Sequence, residues 1–225
     1  QYLTKYWNHY SDKGFKRLIN QGFNAKSNHY GYAQTSTGPG HTTVATGTHP
    51  AVHGIIGNSW FDKKSKKSVY CVDDSNYSTV GSSTDQGRKS PSNLLTTTLS
   101  DENRVATNFK GKTIGVAIKD RGSILSSGHT ANAAYWFDSK EGSFISSTYY
   151  LSNLPSWAQE FNDSRHIDNY LKPWETYYDI STYIESGPDN NNYESNFSSE
   201  ENPVFPHNFR IENDKTGEPY YGSIS

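Results

Sequence analysis

The sequence has one cysteine, no methionine and no apolar run long enough to span a membrane. Cys71 has no partner for an internal disulfide, and neither a C-x-x-C pair nor a cysteine-rich metal site exists, which leaves the redox compartment open. No window approaches the roughly 18 consecutive apolar residues of a transmembrane helix, so no membrane span is expected. Positive charge is not in excess either. The formal net charge is -2, which gives no electrostatic case for nucleic acid, whose binders concentrate basic residues on one face. The basic cluster Lys63, Lys64, Lys66 and Lys67 stands between "GNSWFD" and "SVYCVDD" and reads as a solvated hairpin tip. A signal-peptide pattern is lacking, and a chain that opens at Gln1 without a methionine is expected to be a piece of a longer protein.

What the chain does have is aromatic residues. Hydrophobic residues make up 32% of its 225 positions, yet 17 Tyr, 10 Phe and 5 Trp supply large areas for burial. Residues 2–23 predict one or two short helices closed by Gly22, leading into a strand near Phe23 to Tyr32. A short helix over Thr37 to Gly47 follows, with Val44 and Ala45 expected to face inward. "HGIIGNSWFD" and "KSVYCVDD" read as a hairpin around the basic tip. Leu94 to Val105 predicts a helix capped by Ser92 or Asn93, and "KTIGVAIKDRG" a strand ending in charges. This order argues for an α/β layered protein with a mostly parallel sheet. Beyond Asp138 the pattern changes: "SFISSTYYLS" reads as a strand or hairpin arm, 155–186 as a helical or mixed aromatic-rich stretch, and "SGPDNNNYESNFSSEENPVFP" as an exposed loop.

Chemistry is concentrated in three places. In "TSTGPGHTTVATG", Thr37 precedes a glycine, a proline and a second glycine at the expected start of a helix. A helix start offers unsatisfied N–H groups and the positive end of the dipole, which attract anions, and Gly38 would let a ligand approach the backbone. An activated hydroxyl there can attack phosphorus or sulfur. A lone threonine in this setting is more often an ordinary cap. Asn58 stands 21 positions later (58 − 37) in "HGIIGNSW" and offers an amide donor, although Asn after Gly is commonly only a turn former. In "AIKDRG", Lys119 and Arg121 lie at the carboxyl end of the expected strand, where open α/β sheets place ligands. Two apart on a strand, they would point to one face and clamp one anion, Arg through planar paired donors and Lys as a point charge. Solvation of a charged strand end, or neutralisation by Asp120, is the competing reading. His49 and His53 have the i, i+4 spacing of a zinc pair, but Pro50 between them disfavours a helix through both, so hydrogen-bonded structural histidines are expected, His41 included.

"TSTGPGHTTVATGTHPAVHGIIGNSWFD" together with "IKDRGSILSSGHTANAAYWFD" resembles the alkaline phosphatase superfamily, in particular the phosphate-irrepressible, threonine-nucleophile alkaline phosphatases of the PafA type. "TVATGTHPAVHGIIGN" is also similar to the nucleotide pyrophosphatase/phosphodiesterase branch. The resemblance runs from about Tyr2 to Asp138 and then thins, which implies a partial alkaline-phosphatase-like catalytic domain with its core in 1–138 and an insertion or subdomain in 139–225. It implies a three-layer α/β fold, a phosphate monoester substrate, two zinc ions at the carboxyl edge of the sheet, and a periplasmic or secreted location. Thr37 would be the nucleophile that becomes phosphorylated and touches zinc, Asn58, Lys119 and Arg121 would hold the non-bridging oxygens, and a zinc-bound hydroxide would hydrolyse the phosphothreonine. The cationic pair suits a dianionic monoester better than a diester. Departures are equally plain. Asp12 lies in a polar, glycine-bearing stretch rather than at a strand end, and His129, His166 and His207 lack the context of metal ligands, so the remaining ligands are expected outside this chain and the isolated chain is expected to be inactive. A phosphodiesterase or sulfatase of the same superfamily, and a non-catalytic anion- or glycan-binding module, are the alternatives. Oligomeric state is not legible.

Overall fold

In the computed structural model, residues 2–197, 200–208, 219 and 221–223 are described. The chain divides into two compact units, one of residues 1–30 and 172–210, the other of residues 31–171 and 211–225.

In the first unit, short helices α1 (Tyr2–Lys5) and α2 (Phe15–Gln21) flank a 3-10 turn at Trp7–His9. Gly22 closes α2 as expected, its N–H donating to Leu18 O at 3.0 Å. The strand expected from Phe23 to Tyr32 does not form; this stretch is irregular and mostly exposed. Phe23 is 96% exposed, so this part of the stretch has no buried face to hold a strand. A bridge between Trp174 and His207 organises the other half of the unit. His207, 6% exposed, is held there by the Glu200 carboxylate and packs edge-on against Phe197 and Phe205 and tilted against Trp174.

The second unit carries the sheet. Helices α3 (Thr37–Thr46) and α4 (Pro50–His53) precede a hairpin of β1 (Ser59–Asp62) and β2 (Lys67–Tyr70), paired antiparallel in the register Ser59↔Tyr70. At its tip the Asp62 carboxylate accepts from the N–H groups of Lys64 and Ser65, so the four lysines crown an exposed turn. Strand β3 (Thr79–Val80), helix α5 (Leu99–Ala106), strand β4 (Ile114–Ala117), helix α6 (Asp120–Ser127), strands β5 (Ala133–Asp138) and β6 (Ser143–Ser147), and helix α7 (Ser156–Asp163) follow.

The larger sheet has the order β3-β6-β5-β4. It is mixed rather than mostly parallel: β4 and β5 run parallel, joined by the crossover helix α6, while β5–β6 and β6–β3 are antiparallel. The reason is local. After β5 the chain reverses through a tight turn at Gly142, whose φ of 66° suits glycine, and a direct return of this kind can only be antiparallel. β5 is buried along its whole length, as a strand covered on both faces must be. Ala134 and Trp136 join Ile55, Val72, Leu94, Ile124, Leu125 and Ile145 in the main core, while Ala133 and Tyr135 pack with Ala158 of α7.

Helix α5 starts later than the leucine pattern suggests. Thr98, not Ser92 or Asn93, is its N-cap, and it forms a capping box with Asp101: Asp101 N–H donates to the Thr98 hydroxyl at 3.1 Å, and Thr98 N–H to the Asp101 carboxylate at 2.9 Å. Leu94 is drawn into the core instead of into a helix. In α3 the inward face consists of Gly38, Pro39 and Thr42, whereas Val44 is 78% exposed. Small residues lie inward because α3 packs closely on α6.

Candidate active site

The helix start at Thr37 differs in one detail from the sequence expectation. Ser36, with extended ψ of 172°, is the N-cap, and Thr37 is the first helical residue. Ser36 makes no side-chain cap bond, and Thr37, being inside the helix, does not occupy the capping position. Of the first N–H groups of α3, that of Gly38 donates to Asn58 Oδ1 at 2.7 Å, that of Gly40 to Ser36 O at 2.9 Å, and Pro39 has none. Most backbone donors that might have cradled an anion are thus spent, and an anion at this end would depend on side-chain donors together with the helix dipole.

The Gly38–Asn58 bond supplies one such donor. It commits the Asn58 carbonyl oxygen to the backbone and turns the Nδ2 group away from it, beside the first turn of α3. Gly38 permits the approach: a Cβ there would lie 3.2 Å from both Asn58 Oδ1 and Gly57 O and 3.4 Å from Cys71 Sγ. Asn58 is fixed through its main chain too, since its backbone carbonyl accepts from Cys71 N–H at 2.9 Å, one step beyond the Ser59↔Tyr70 pair of the hairpin. The amide of Asn93 in turn donates to Cys71 O at 3.2 Å.

Lys119 and Arg121 do stand at the carboxyl end of β4, but not on it. The strand stops at Ala117, Lys119 is the N-cap of α6 and Arg121 lies within its first turn. Shared direction on a strand therefore does not apply to them. Arg121 is folded in toward the hairpin: its Nη1 donates to the Tyr70 hydroxyl at 2.6 Å, and its side chain is 20% exposed. That hydroxyl donates to Asp120 Oδ1 at 2.7 Å. Lys119 is exposed, and its ammonium has no partner among the described residues. Asn58, through its backbone, and Arg121, through Tyr70, are thus tied to one structural junction, the end of β2 at Tyr70 and Cys71, while Thr37 precedes the glycine that bonds Asn58 and Lys119 stands at the start of α6.

The electrostatics follow from this packing. Burial, and then the Asp120 charge, raise the Tyr70 phenol well above its ordinary value, so it remains a neutral donor. The same two causes push the Cys71 thiol up to about 12, which makes it a packing group rather than a nucleophile. Arg121 loses something to burial, but its hydrogen bond to Tyr70 and the Asp120 charge outweigh this and hold it charged. Two of the three histidines are hydrogen-bonded, His53 and His41, while His49 lies edge-on to the Tyr32 ring. His53 is fully buried, with Nε2 at 3.2 Å from the Thr43 hydroxyl and Nδ1 accepting from Ile55 N–H at 3.2 Å, and burial lowers its basicity. His41 Nδ1 lies 2.9 Å from Thr37 O and so steadies the first turn of α3.

No group of three or more His, Cys, Asp or Glu able to hold a metal ion occurs among the described residues. Zinc therefore does not fit the described residues by themselves, Thr37 Oγ1 being a single donor. No helix among the described residues is long and apolar enough to cross a membrane. Sequence reasoning missed the parts played by Tyr70 and Cys71, and took Asp120 only as a neutraliser of its neighbours. A signal was present in the hairpin, whose register places Cys71 opposite Asn58.

Known proteins place this geometry in a family. The chain is 50% identical over 210 residues to alkaline phosphatase PhoV of Synechococcus elongatus, 46% over 206 residues to a protein named calcium-transporting ATPase from Myroides odoratus, and 43% over 209 residues to alkaline phosphatase PafA of Elizabethkingia meningoseptica. These matches cover 91 to 93% of this chain and 38% of each relative, so the chain spans about two fifths of their length. The crystal structure of wild-type PafA superposes with a TM-score of 0.86 at 42% identity, covering 92% of this chain and 40% of that one. A PafA variant with one threonine changed to serine and one asparagine, one lysine and one arginine each changed to alanine has the same TM-score of 0.86, at 40% identity and with the same coverage. The pattern of type I phosphodiesterases and nucleotide pyrophosphatases matches residues 1–204, and the chain belongs to that family.

Proposed function

We propose that this chain carries the nucleophile and the oxyanion clamp of a phosphomonoesterase of alkaline phosphatase type. The observation that carries the reading is the Gly38 N–H bond to Asn58 Oδ1, which presents the Asn58 amide donor beside Thr37. Arg121, tied to the same junction through Tyr70, adds a guanidinium, and Lys119 a free ammonium at the helix start. In the reaction, Thr37 Oγ1 bonds to phosphorus as the ester P–O bond breaks and the alcohol leaves. Water then cleaves the phosphothreonine to phosphate and free threonine. Phosphoryl transfer asks the protein mainly for positioning and for charge opposite the equatorial oxygens, which Asn58, Lys119 and Arg121 supply.

Residue spacing supports the assignment. In the solved PafA variant the substituted threonine and asparagine stand 21 positions apart and the substituted lysine and arginine two apart, and Thr37 with Asn58, and Lys119 with Arg121, keep both spacings. Zinc and a periplasmic or secreted location belong to the same reading. The metal ligands other than Thr37 would come from outside this chain, so the 225 residues alone should not turn over.

The test uses the full-length enzyme that carries this chain, assayed with p-nitrophenyl phosphate, its methyl diester and p-nitrophenyl sulfate. The monoester is expected to be the best substrate, with Asn58→Ala and Arg121→Ala each lowering its kcat/KM by about a hundred- to a thousandfold, the cost of one oxyanion donor. A preference for the diester or the sulfate would transfer the site to the phosphodiesterase or sulfatase reading. Unchanged turnover in both variants would overturn the clamp assignment, and no turnover of any of the three esters would leave only an anion-binding module.

A further inference from the structure

Arg121 can serve a phosphoryl group only if its guanidinium is kept off the carboxylate beside it. Asp120 precedes it in α6, and Arg121 Nη1 lies 3.9 Å from Asp120 Oδ1, outside hydrogen-bond distance. The Tyr70 hydroxyl occupies the gap, accepting from Arg121 Nη1 at 2.6 Å and donating to Asp120 Oδ1 at 2.7 Å. Asp120 is satisfied elsewhere as well: its Oδ1 accepts the Arg121 N–H at 2.6 Å, and Lys89 Nζ lies 3.8 Å from its Oδ2. Lys89 also pairs with Asp73 and lies 5.0 Å above the Tyr70 ring, so the ring is held between a cation and the hydroxyl contacts at its edge. Asn93 donates to Tyr70 O at 3.4 Å, weakly fixing the backbone beneath.

From this arrangement we propose that Tyr70 is a positioning residue for the clamp. Its hydroxyl separates Arg121 from Asp120, takes up one guanidinium hydrogen and fixes the plane in which the remaining donors face the substrate. The proposal rests on Arg121 acting as an oxyanion donor. Without the hydroxyl, Asp120 becomes the nearest acceptor, and a guanidinium of fixed fork geometry pairs with a carboxylate directly, which withdraws it from the phosphoryl oxygens and neutralises its charge. A purely structural role would instead lower stability without distinguishing among substrates.

A double-mutant cycle on the full-length enzyme separates these roles. Tyr70→Phe keeps the ring, its packing and its contact with Lys89. It is expected to lower kcat/KM for p-nitrophenyl phosphate about ten- to a hundredfold, the worth of a hydrogen bond to a charged group, and to lower that for the methyl diester less. In an Arg121→Ala background the same change is expected to cost less than about threefold, because the group it positions is gone. If Arg121→Ala costs activity while Tyr70→Phe is silent, or if Tyr70→Phe costs as much with Arg121 absent as with it present, the positioning role is wrong and the clamp assignment stands. If Arg121→Ala itself costs nothing, both fall.

Discussion

At the residue scale, the site depends on a glycine with no room for a side chain. A methyl group at Gly38 would meet Asn58 Oδ1 and Gly57 O at 3.2 Å, closer than nearly all such contacts, so one of them must yield. The Asn58 side chain yields more easily than backbone, and with it goes the orientation of its amide. Gly38→Ala in the full-length enzyme is therefore expected to lower kcat/KM for a phosphate monoester by about tenfold or more, with a shift in melting temperature of only a few degrees. Wild-type kinetics in a folded Gly38→Ala protein would contradict the link between this backbone position and the clamp. Thr37, Gly38 and Asn58 stood out in the sequence as candidates because each belongs to a short motif of unusual composition. Tyr70 was not, since one tyrosine in a hairpin rich in aromatics looks like any other, and its role depends on the partner that α6 brings to it. Arg121 was singled out on a geometry it does not have: the charges were assigned to a strand end, whereas Lys119 caps a helix and Arg121 lies in its first turn.

At the element scale, the helices beside the site are tied down by buried carboxylates. Asp101, 1% exposed, accepts from Thr98 N–H at 2.9 Å at the start of α5, and from Thr130 N–H at 2.7 Å and its hydroxyl at 2.8 Å in the loop between α6 and β5. Burial alone would raise its pKa, but these donors outweigh burial and lower it. A carboxyl whose folded pKa lies below its unfolded value stabilises the fold above the ordinary carboxylate range, and that stabilisation disappears as pH falls through the folded value. Asp101→Asn is accordingly expected to cost about 1–3 kcal/mol near neutral pH. The difference in melting temperature between it and the parent chain should shrink steadily below about pH 4. A difference that is constant with pH would mean that Asp101 is not held as a buried anion. The capping box was readable as a Thr-x-x-Asp pattern, but the leucines upstream suggested an earlier start; burial of Leu94 in the main core overrides that periodicity.

At the scale of the whole molecule, α/β layering was legible from the alternation of helical and strand patterns, and the direction of the strands was not. Sequence order suggested a mostly parallel sheet, yet the turn at Gly142 is too short for a crossover, so the chain doubles back after β5. The aromatic-rich stretch after Asp138 defeated periodicity for a similar reason: its rings make irregular clusters with one another and with distant segments, such as Trp174 with His207, rather than one face of a helix or strand. What unites the molecule functionally is the claim that Thr37 forms the covalent intermediate. The most direct measurement is acid quenching of the full-length enzyme during turnover of a phosphate monoester, followed by mapping of the phosphorylated residue by mass spectrometry. Phosphate on Thr37, absent from the Thr37→Ala enzyme, whose turnover falls about a thousandfold or more, is the predicted result. Phosphate on another residue, or a Thr37→Ala enzyme that still turns over at the parent rate, would contradict it.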